Sequence, residues 1–260
     1  MKIRSLVVAA ANIGFMFLLV VAIEAEATEL KLLSSIGMQT VIEELGPKFE
    51  RTTGHKLTIT FDTTGGLIKR VQGGETADVV VIPRQGIDSF VKDGKIAPDN
   101  VIVVARSGIG VAVRKGAPKP DISSPDALKR TLLAAKSITY SNPADGGASG
   151  VHFAKVLDQL GIANEMKPKT VFLPKPGPVA VLVANGEAEI AVHQFQELIQ
   201  VAGIEIVGPL PGNLQDTVVF SAAIMGSAKD PAASKALIDF LCTSEAAAVM
   251  KAKGIEPATP

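Results

Sequence analysis

The sequence predicts an α/β fold in two lobes, each a mainly parallel sheet flanked by helices. Short apolar runs alternate with amphipathic runs along nearly the whole chain, which is the pattern of strand–helix–strand units. Aromatic residues are scarce, with no Trp and one Tyr, so the core is aliphatic, as it is where parallel strands are buried on both faces. Strand-like crossings split the alternation into two runs, and 260 residues suffice for one large or two ordinary domains.

The N-terminus stands apart from this pattern. Lys2 and Arg4 precede an apolar run from Leu6 to Ile23, and Ala25-Glu26-Ala27 supplies an A-x-A cleavage site. Residues 1–27 therefore read as a cleavable signal peptide, which implies an exported protein beginning near Thr28. The alternative is an uncleaved membrane anchor, since the run approaches the length that spans a bilayer. Formal net charge is zero and stays zero without the leader, so neither nucleic-acid nor membrane-surface binding is indicated. Cys242 is the single cysteine; it excludes an intrachain disulfide, lies far from the cleavage point, and sits in an apolar helical run that suggests a buried, inert thiol.

Leu30 to Leu33 reads as the first strand. Gly37 opens a helix with Met38, Val41, Ile42, Leu45 and Phe49 on one face, ended by Gly54. Leu57 to Phe61 is the second strand and Leu67 to Gln72 a short helix, broken by Gly73-Gly74. Ala77 to Ile82 is a continuous apolar strand headed by Asp78, followed by a helix from about Gln85 to Asp93. Val101 to Arg106 and Gly108 to Arg114 are two strand-like runs, and their join at Arg106-Ser107 reads as a crossing between lobes. Ser124 caps a helix that has Pro125 at its first position. Ser137 to Tyr140 is a strand, Ser149 can cap a helix over Gly150 to Leu160, and Thr170 to Leu173 is a strand. Pro178 to Asn185 is a helix, Ala188 to His193 a strand, and Ile204 to Val207 a strand leaving through Pro209-Leu210-Pro211-Gly212. Val218 to Ile224 is the last strand, before helices over Pro231 to Thr243 and Ser244 to Lys253.

Three turns share one chemistry. Ile59-Thr60-Phe61-Asp62-Thr63-Thr64-Gly65-Gly66-Leu67 carries a strand through a hydroxyl- and glycine-rich turn into a helix. Thr63 or Thr64 can cap that helix, and Gly65 and Gly66 allow close approach to the backbone. Leu32 to Gly37 and Tyr140 to Gly150 repeat the pattern. A helix N-terminus offers unpaired N–H groups and the positive end of a dipole, which suits an anion. In α/β folds such strand ends build ligand sites, so the three turns are expected to converge on one small anion.

The order of these segments, with "FDTTGGLIKRVQGGETADVVV", "NPADGGASGVHFAKVLDQLGI" and "GEAEIAVHQF", resembles the periplasmic solute-binding proteins of ABC importers, in particular the molybdate-binding-like branch. The resemblance spans essentially the whole mature chain and includes the G-x-x-A-D segment Gly74 to Asp78. It implies a type II periplasmic binding fold, with lobe 1 formed by residues 28–106 plus 213–260 and lobe 2 by residues 107–212. It also implies two strand hinges, an anion held between the lobes, an ABC permease as partner and a monomeric state. Carried over by position, the oxyanion contacts fall on Gly37, Thr64, Ser149, Pro176 and Gln194. Ser35, Thr63, Gly65, Arg84 and His193 complete the candidate ligand-binding set. Gly37 departs from the serine usual in molybdate binders, and Gln194 from the usual tyrosine. With Arg84, a cation able to pair bidentately with a carboxylate, these departures suit an organic anion.

The same branch resembles a periplasmic isomerase that interconverts cis- and trans-aconitate. On that alternative His193, His152 or Asp62 supplies a base and Arg84 clamps a carboxylate. Each residue also has a plainer role: Asp62 as a turn or capping residue, His152 as a surface or packed histidine, His55 as a solvated turn residue, and Lys69 and Arg70 as a solvated face. Three scattered histidines and one cysteine give no metal-ligand spacing, and no cofactor is expected. There is no G-x-S-x-G elbow, Walker pattern or G-x-G-x-x-G after a strand, so hydrolase and nucleotide-binding readings lack support.

Overall fold

The computed structural model describes residues 27–258; the leader reading lies outside them. The chain runs β1 (Glu29–Ser35), α1 (Gln39–Thr53), β2 (Lys56–Asp62), α2 (Thr64–Gln72), β3 (Val79–Pro83), α3 (Arg84–Lys92) and β4 (Val101–Arg114). There follow α4 (Pro125–Ala134), β5 (Ile138–Tyr140), α5 (Ala148–Gln159), α6 (Ala163–Met166), α7 (Val181–Ala184), β6 (Ile190–Gln194), α8 (Phe195–Ile199) and β7 (Ile204–Pro209). The chain closes with β8 (Thr217–Ile224), α9 (Pro231–Leu241), α10 (Ser244–Ala252) and β9 (Glu256–Pro257).

The strands follow the order β2-β1-β3-β8-β4-β6-β5, with β7 and β9 also on β4. In the first lobe β1 lies parallel to both β2 and β3, so the chain reverses its direction of winding at β1, the topology that opens a crevice at the strand carboxyl ends. Alternate residues of this sheet feed two cores, Val79 and Val81 with Phe49 on one side, Val80 and Ile82 with Phe90 on the other. Burial on both faces is why these strands read as unbroken apolar runs. The second lobe repeats the arrangement, with Val111 and Val192 in one core and Ala112 and Ala191 in another.

Several elements differ from the sequence reading. The two runs around Arg106-Ser107 are one continuous strand, β4, whose first half pairs antiparallel with β8 and whose second half pairs antiparallel with β6 and β7. The polar pair that suggested a break lies within it: Ser107 is buried and its hydroxyl bonds Gln196 Oε1. The strands are parallel within β2-β1-β3 and β5-β6, while every pairing with β4 or β8 is antiparallel: β4 crosses between lobes, and β8 runs back against β3 and the first half of β4. The expected strand over Thr170 to Leu173 reduces to one bridge from Thr170 to Ile138, since three prolines follow within five residues and withhold ladder donors. The helix expected from Pro178 narrows to α7. Gly147, not Ser149, is the N-cap of α5, which places Ser149 in the first turn. Thr63 caps α2 and Ser124 caps α4, accepting from Gly66 N at 3.0 Å and Ala127 N at 3.1 Å.

His55 is buried rather than solvated: its ring lies 6.0 Å from that of Phe49 and its Nδ1 accepts from Thr28 N at 3.1 Å. Cys242 is half-buried against the first core, and burial raises its thiol pKa.

Asp78 shows what the G-x-x-A-D segment does in this chain. Its buried carboxylate accepts from Lys31 N at 2.7 Å and from Lys229 N at 2.8 Å, joining β1 to the segment that follows β8. Asn can satisfy only one of these donors and turns an NH2 toward the other, so Asp78→Asn should lower unfolding stability by about 1–3 kcal/mol in urea titration.

Candidate functional site

Turns at the carboxyl ends of β1, β2 and β3 face turns of the second lobe across a small cavity. Ser35, Ile36 and Gly37 enter from the turn before α1, Thr63 and Thr64 from the start of α2, and Pro83 from the start of α3. Ser141, Gly147, Ala148 and Ser149 enter from the segment between β5 and α5, Pro176 and Gly177 from the proline-rich loop, and His193, Gln194 and Glu197 from β6 and α8. Phe220 of β8 forms the floor. The cavity has a volume of about 40 Å³, room for roughly three waters or one compact anion.

The walls offer donors. The first turns of α2 and α5 edge the space; at α2 Gly65 N is taken by Gly146 O and Gly66 N by Thr63 Oγ1, while a helix N-terminus as such favours an anion by roughly 0.3–1 kcal/mol, more when partly buried. The hydroxyl of Ser35, buried on the wall, has no hydrogen-bond partner among the described residues. His193 and Glu197 are the titratable groups among the lining residues, and no Lys or Arg is among them.

His193 is 3% exposed and has two neighbours of note. Its Nε2 lies 2.6 Å from Ser141 Oγ, and its Nδ1 lies 3.3 Å from Glu197 Oε2, a contact without good hydrogen-bond direction. Burial pushes His193 down to about 4 and Glu197 up to about 8. The pair is therefore neutral between about pH 4 and about pH 8.

Of the residues singled out in the sequence, Ser35, Gly37, Thr63, Thr64, Ser149, Pro176, His193 and Gln194 meet at this cavity. Arg84 does not. It opens α3, half exposed, and its Nε donates to Asp88 Oδ1 at 2.7 Å, so it is no carboxylate clamp here. Asp62 pairs with Arg70 Nε at 2.9 Å and accepts from Thr63 N at 2.8 Å, a structural turn residue rather than a base. Arg70 also meets Glu75 Oε2 at 3.3 Å, so it is a turn brace rather than only a solvated face. His152 is tied to the second crossing, with Nε2 at 2.8 Å from Leu214 O and Nδ1 at 3.5 Å from Asp216 Oδ2.

Gly65 lies beside the cavity, in a clasp between lobes. Its N donates to Gly146 O at 3.3 Å, Thr63 Oγ1 donates to Asp145 O, and a Cβ on Gly65 would come within 3.0 Å of Gly146 Cα. Gly37 is glycine for a steric reason. A Cβ there would come within 2.9 Å of Phe220 Cζ and 3.3 Å of Gln194 Oε1. Sequence reasoning missed Ser141 and Glu197. Ser141 opens the glycine-rich turn; His193 lies at the end of β6 and Glu197 in α8, so their contact comes from the strand-to-helix turn at Gln194 and not from a shared helical face.

Residues 30–256 match the family of bacterial extracellular solute-binding proteins. The chain belongs to that family. It is 36% identical over 236 residues to an aconitate isomerase of a Pseudomonas species, covering 88% of each chain. It is 27% identical over 241 residues to the molybdate-binding protein ModA of Azotobacter vinelandii, covering 90% of this chain and 92% of that one. Among solved structures, the Azotobacter vinelandii periplasmic molybdate-binding protein superposes with a TM-score of 0.71 at 21% identity, over 89% of this chain and 99% of that one. The sulfate-binding protein SubI of Mycobacterium tuberculosis H37Rv gives a TM-score of 0.71 at 19% identity, over 90% and 88%. These neighbours have the two-lobe type II periplasmic binding fold, and this chain shares it. No described helix is long and apolar enough to cross a membrane.

Two outcomes follow from the geometry. A carboxyl group whose folded pKa is raised loses its relative stabilisation as pH climbs from its unfolded value through the folded one. Glu197→Gln should therefore melt progressively higher than the parent as pH rises from about 5 to about 8, with no further gain above. Gly37→Ser should displace Phe220 and lower Tm at every pH in the same scan, since its Cβ meets the ring and Gln194 together.

Proposed function

We propose that this protein captures a small anion between its two lobes in the periplasm and presents it to an ABC permease. The observation that carries this reading is the cavity itself: helix N-termini from both lobes, the orphan hydroxyl of Ser35, and walls without a fixed charge of either sign beyond the neutral His193–Glu197 pair. Neutral donors suit an oxyanion because they stabilise it without the desolvation cost of a buried cation. Capture would proceed by hinge motion at β4 near Arg106-Ser107 and at the return crossing between β7 and β8, with the Thr63–Asp145 and Gly65–Gly146 clasp formed on closure.

A second reading is favoured by a specific pair of observations. A relative at 36% identity is named aconitate isomerase, and the cavity wall holds a buried histidine in contact with a serine and a carboxyl group. On this reading the anion is a polycarboxylate and the protein is an isomerase of it. The placement of Arg84 and His152 leaves His193 as the base.

The test is a thermal shift on the purified protein against molybdate, tungstate, sulfate, phosphate, citrate, cis-aconitate and trans-aconitate, followed by calorimetry on whichever ligand raises Tm. Ser35→Ala should weaken that ligand about tenfold, the worth of one hydrogen bond to a charged group. If no anion raises Tm, the capture reading fails.

A further inference from the structure

The cavity wall contains a proton-handling unit that simple anion capture does not require. His193 Nε2 meets Ser141 Oγ at 2.6 Å, and His193 Nδ1 faces Glu197 Oε2 at 3.3 Å. The order serine, histidine, carboxyl is that of an acid–base relay, in which the carboxyl fixes the ring and its tautomer and the hydroxyl meets the ligand.

Ser141 also stands at a junction. A second cavity of about 20 Å³ adjoins the first, and the two share Thr63, Ser141, Gly147, Pro176 and Gly177. The outer space adds Lys175, a cation, and Asp145, an anion. One carboxylate in the inner cavity, among the helix N-termini, and another toward Lys175 would set the carbons between them against Ser141 Oγ. Such a ligand is larger than the closed space, so it enters with the Thr63–Asp145 clasp parted.

We propose that Ser141 and His193 are catalytic residues that move a proton between two carbons of an unsaturated polycarboxylate, with Glu197 as the positioning residue. This rests on the second reading above and deepens it by naming the machinery. With its ring proton on Nδ1, the atom nearer Glu197, His193 would offer the Nε2 lone pair to the Ser141 hydroxyl. In the first half, a C–H bond of the CH2 beside the double bond breaks and its proton goes to Ser141 Oγ as the Ser141 proton passes to His193 Nε2. The electron pair enters the allyl-carboxylate system, and the charge that builds on the inner carboxylate is held by the helix N-termini. In the second half, Ser141 returns a proton to the carbon at the far end of the allyl unit, His193 reprotonates Ser141, and the double bond has moved by one position. The new double bond forms along the former CH2–C single bond, so the rotamer held about that bond when the proton leaves decides whether the product is cis or trans. No oxidant, reductant or co-reactant is needed.

Facing the pair, β4 offers Gly110 opposite His193, α8 offers neutral Gln196, and the remaining cavity walls are neutral, so Asp145 and Lys175 of the outer space are the other charged groups nearby. The experiment is proton NMR of trans- and cis-aconitate with the purified protein in D2O, with melting curves on the same samples. The parent should interconvert the isomers and place deuterium on the allylic carbons. Ser141→Ala and His193→Gln should lose about 10²–10⁴-fold in kcat, the usual worth of a general base, while trans-aconitate still raises their Tm. Glu197→Gln should keep most of kcat but lose a rise in KM that the parent shows above about pH 8, where an ionised Glu197 repels the substrate. The proposal is overturned if trans-aconitate raises the parent's Tm without any deuterium uptake, or if the Ser141 and His193 variants keep the parent's rate. It is also overturned if neither isomer binds, in which case a shift with molybdate, sulfate or phosphate in the same scan leaves the capture reading standing.

Discussion

Everything in this molecule hangs on one strand. β4 runs through 14 residues without a break, and its two halves belong to different lobes. The return path is held to it closely. Gln215, between β7 and β8, accepts from Ile109 N at 3.1 Å and donates to Ile109 O at 3.0 Å, so a side-chain amide stands in for a neighbouring strand. His152 ties the same segment to α5 through Leu214 O. A chain that crosses in extended, hydrogen-bonded form can bend a few residues while both cores stay packed, because no core residue must leave its neighbours.

With the lobes so joined, the carboxyl ends of two sets of strands face each other, and what lies between them is fixed by backbone rather than by charge. Helix N-termini and small hydroxyl residues make a space that stabilises negative charge by oriented dipoles. Into this neutral setting the fold places one histidine and one glutamate. Desolvation drives their proton affinities in opposite directions, so the pair stays uncharged and compatible with an anion beside it. If Glu197 were ionised it would repel an anion placed in the cavity.

The legible parts of the sequence were those governed by local chemistry. Thr63 announced itself as a cap, Ser124-Pro125 as a helix start, and the apolar runs of β3 and β8 as buried strands, because capping and two-sided burial leave marks within a few residues. Arg84 misled because a cation near a strand end is ambiguous until its partner is known; Asp88, one helical turn on, takes it. Gly37 and Gln194 looked like departures from an oxyanion site, yet Phe220, nearly 200 residues away in sequence, occupies the space a serine side chain would need. Glu197 left no signal, since a lone glutamate in a short helix is ordinarily solvated.

The sequence by itself determined the α/β class, the order of most elements, the three anion-suited turns and, through its motifs, the solute-binding family. These follow from periodicity, turn chemistry and composition, which act over a handful of neighbouring residues. The tertiary structure alone decided that the crossing is one continuous strand, that Arg84 turns to Asp88, that Gly65 serves a clasp, and that Ser141, His193 and Glu197 meet. Those outcomes depend on which distant segments share a few ångströms of space and on how much water burial removes, and neither quantity is written in the local sequence.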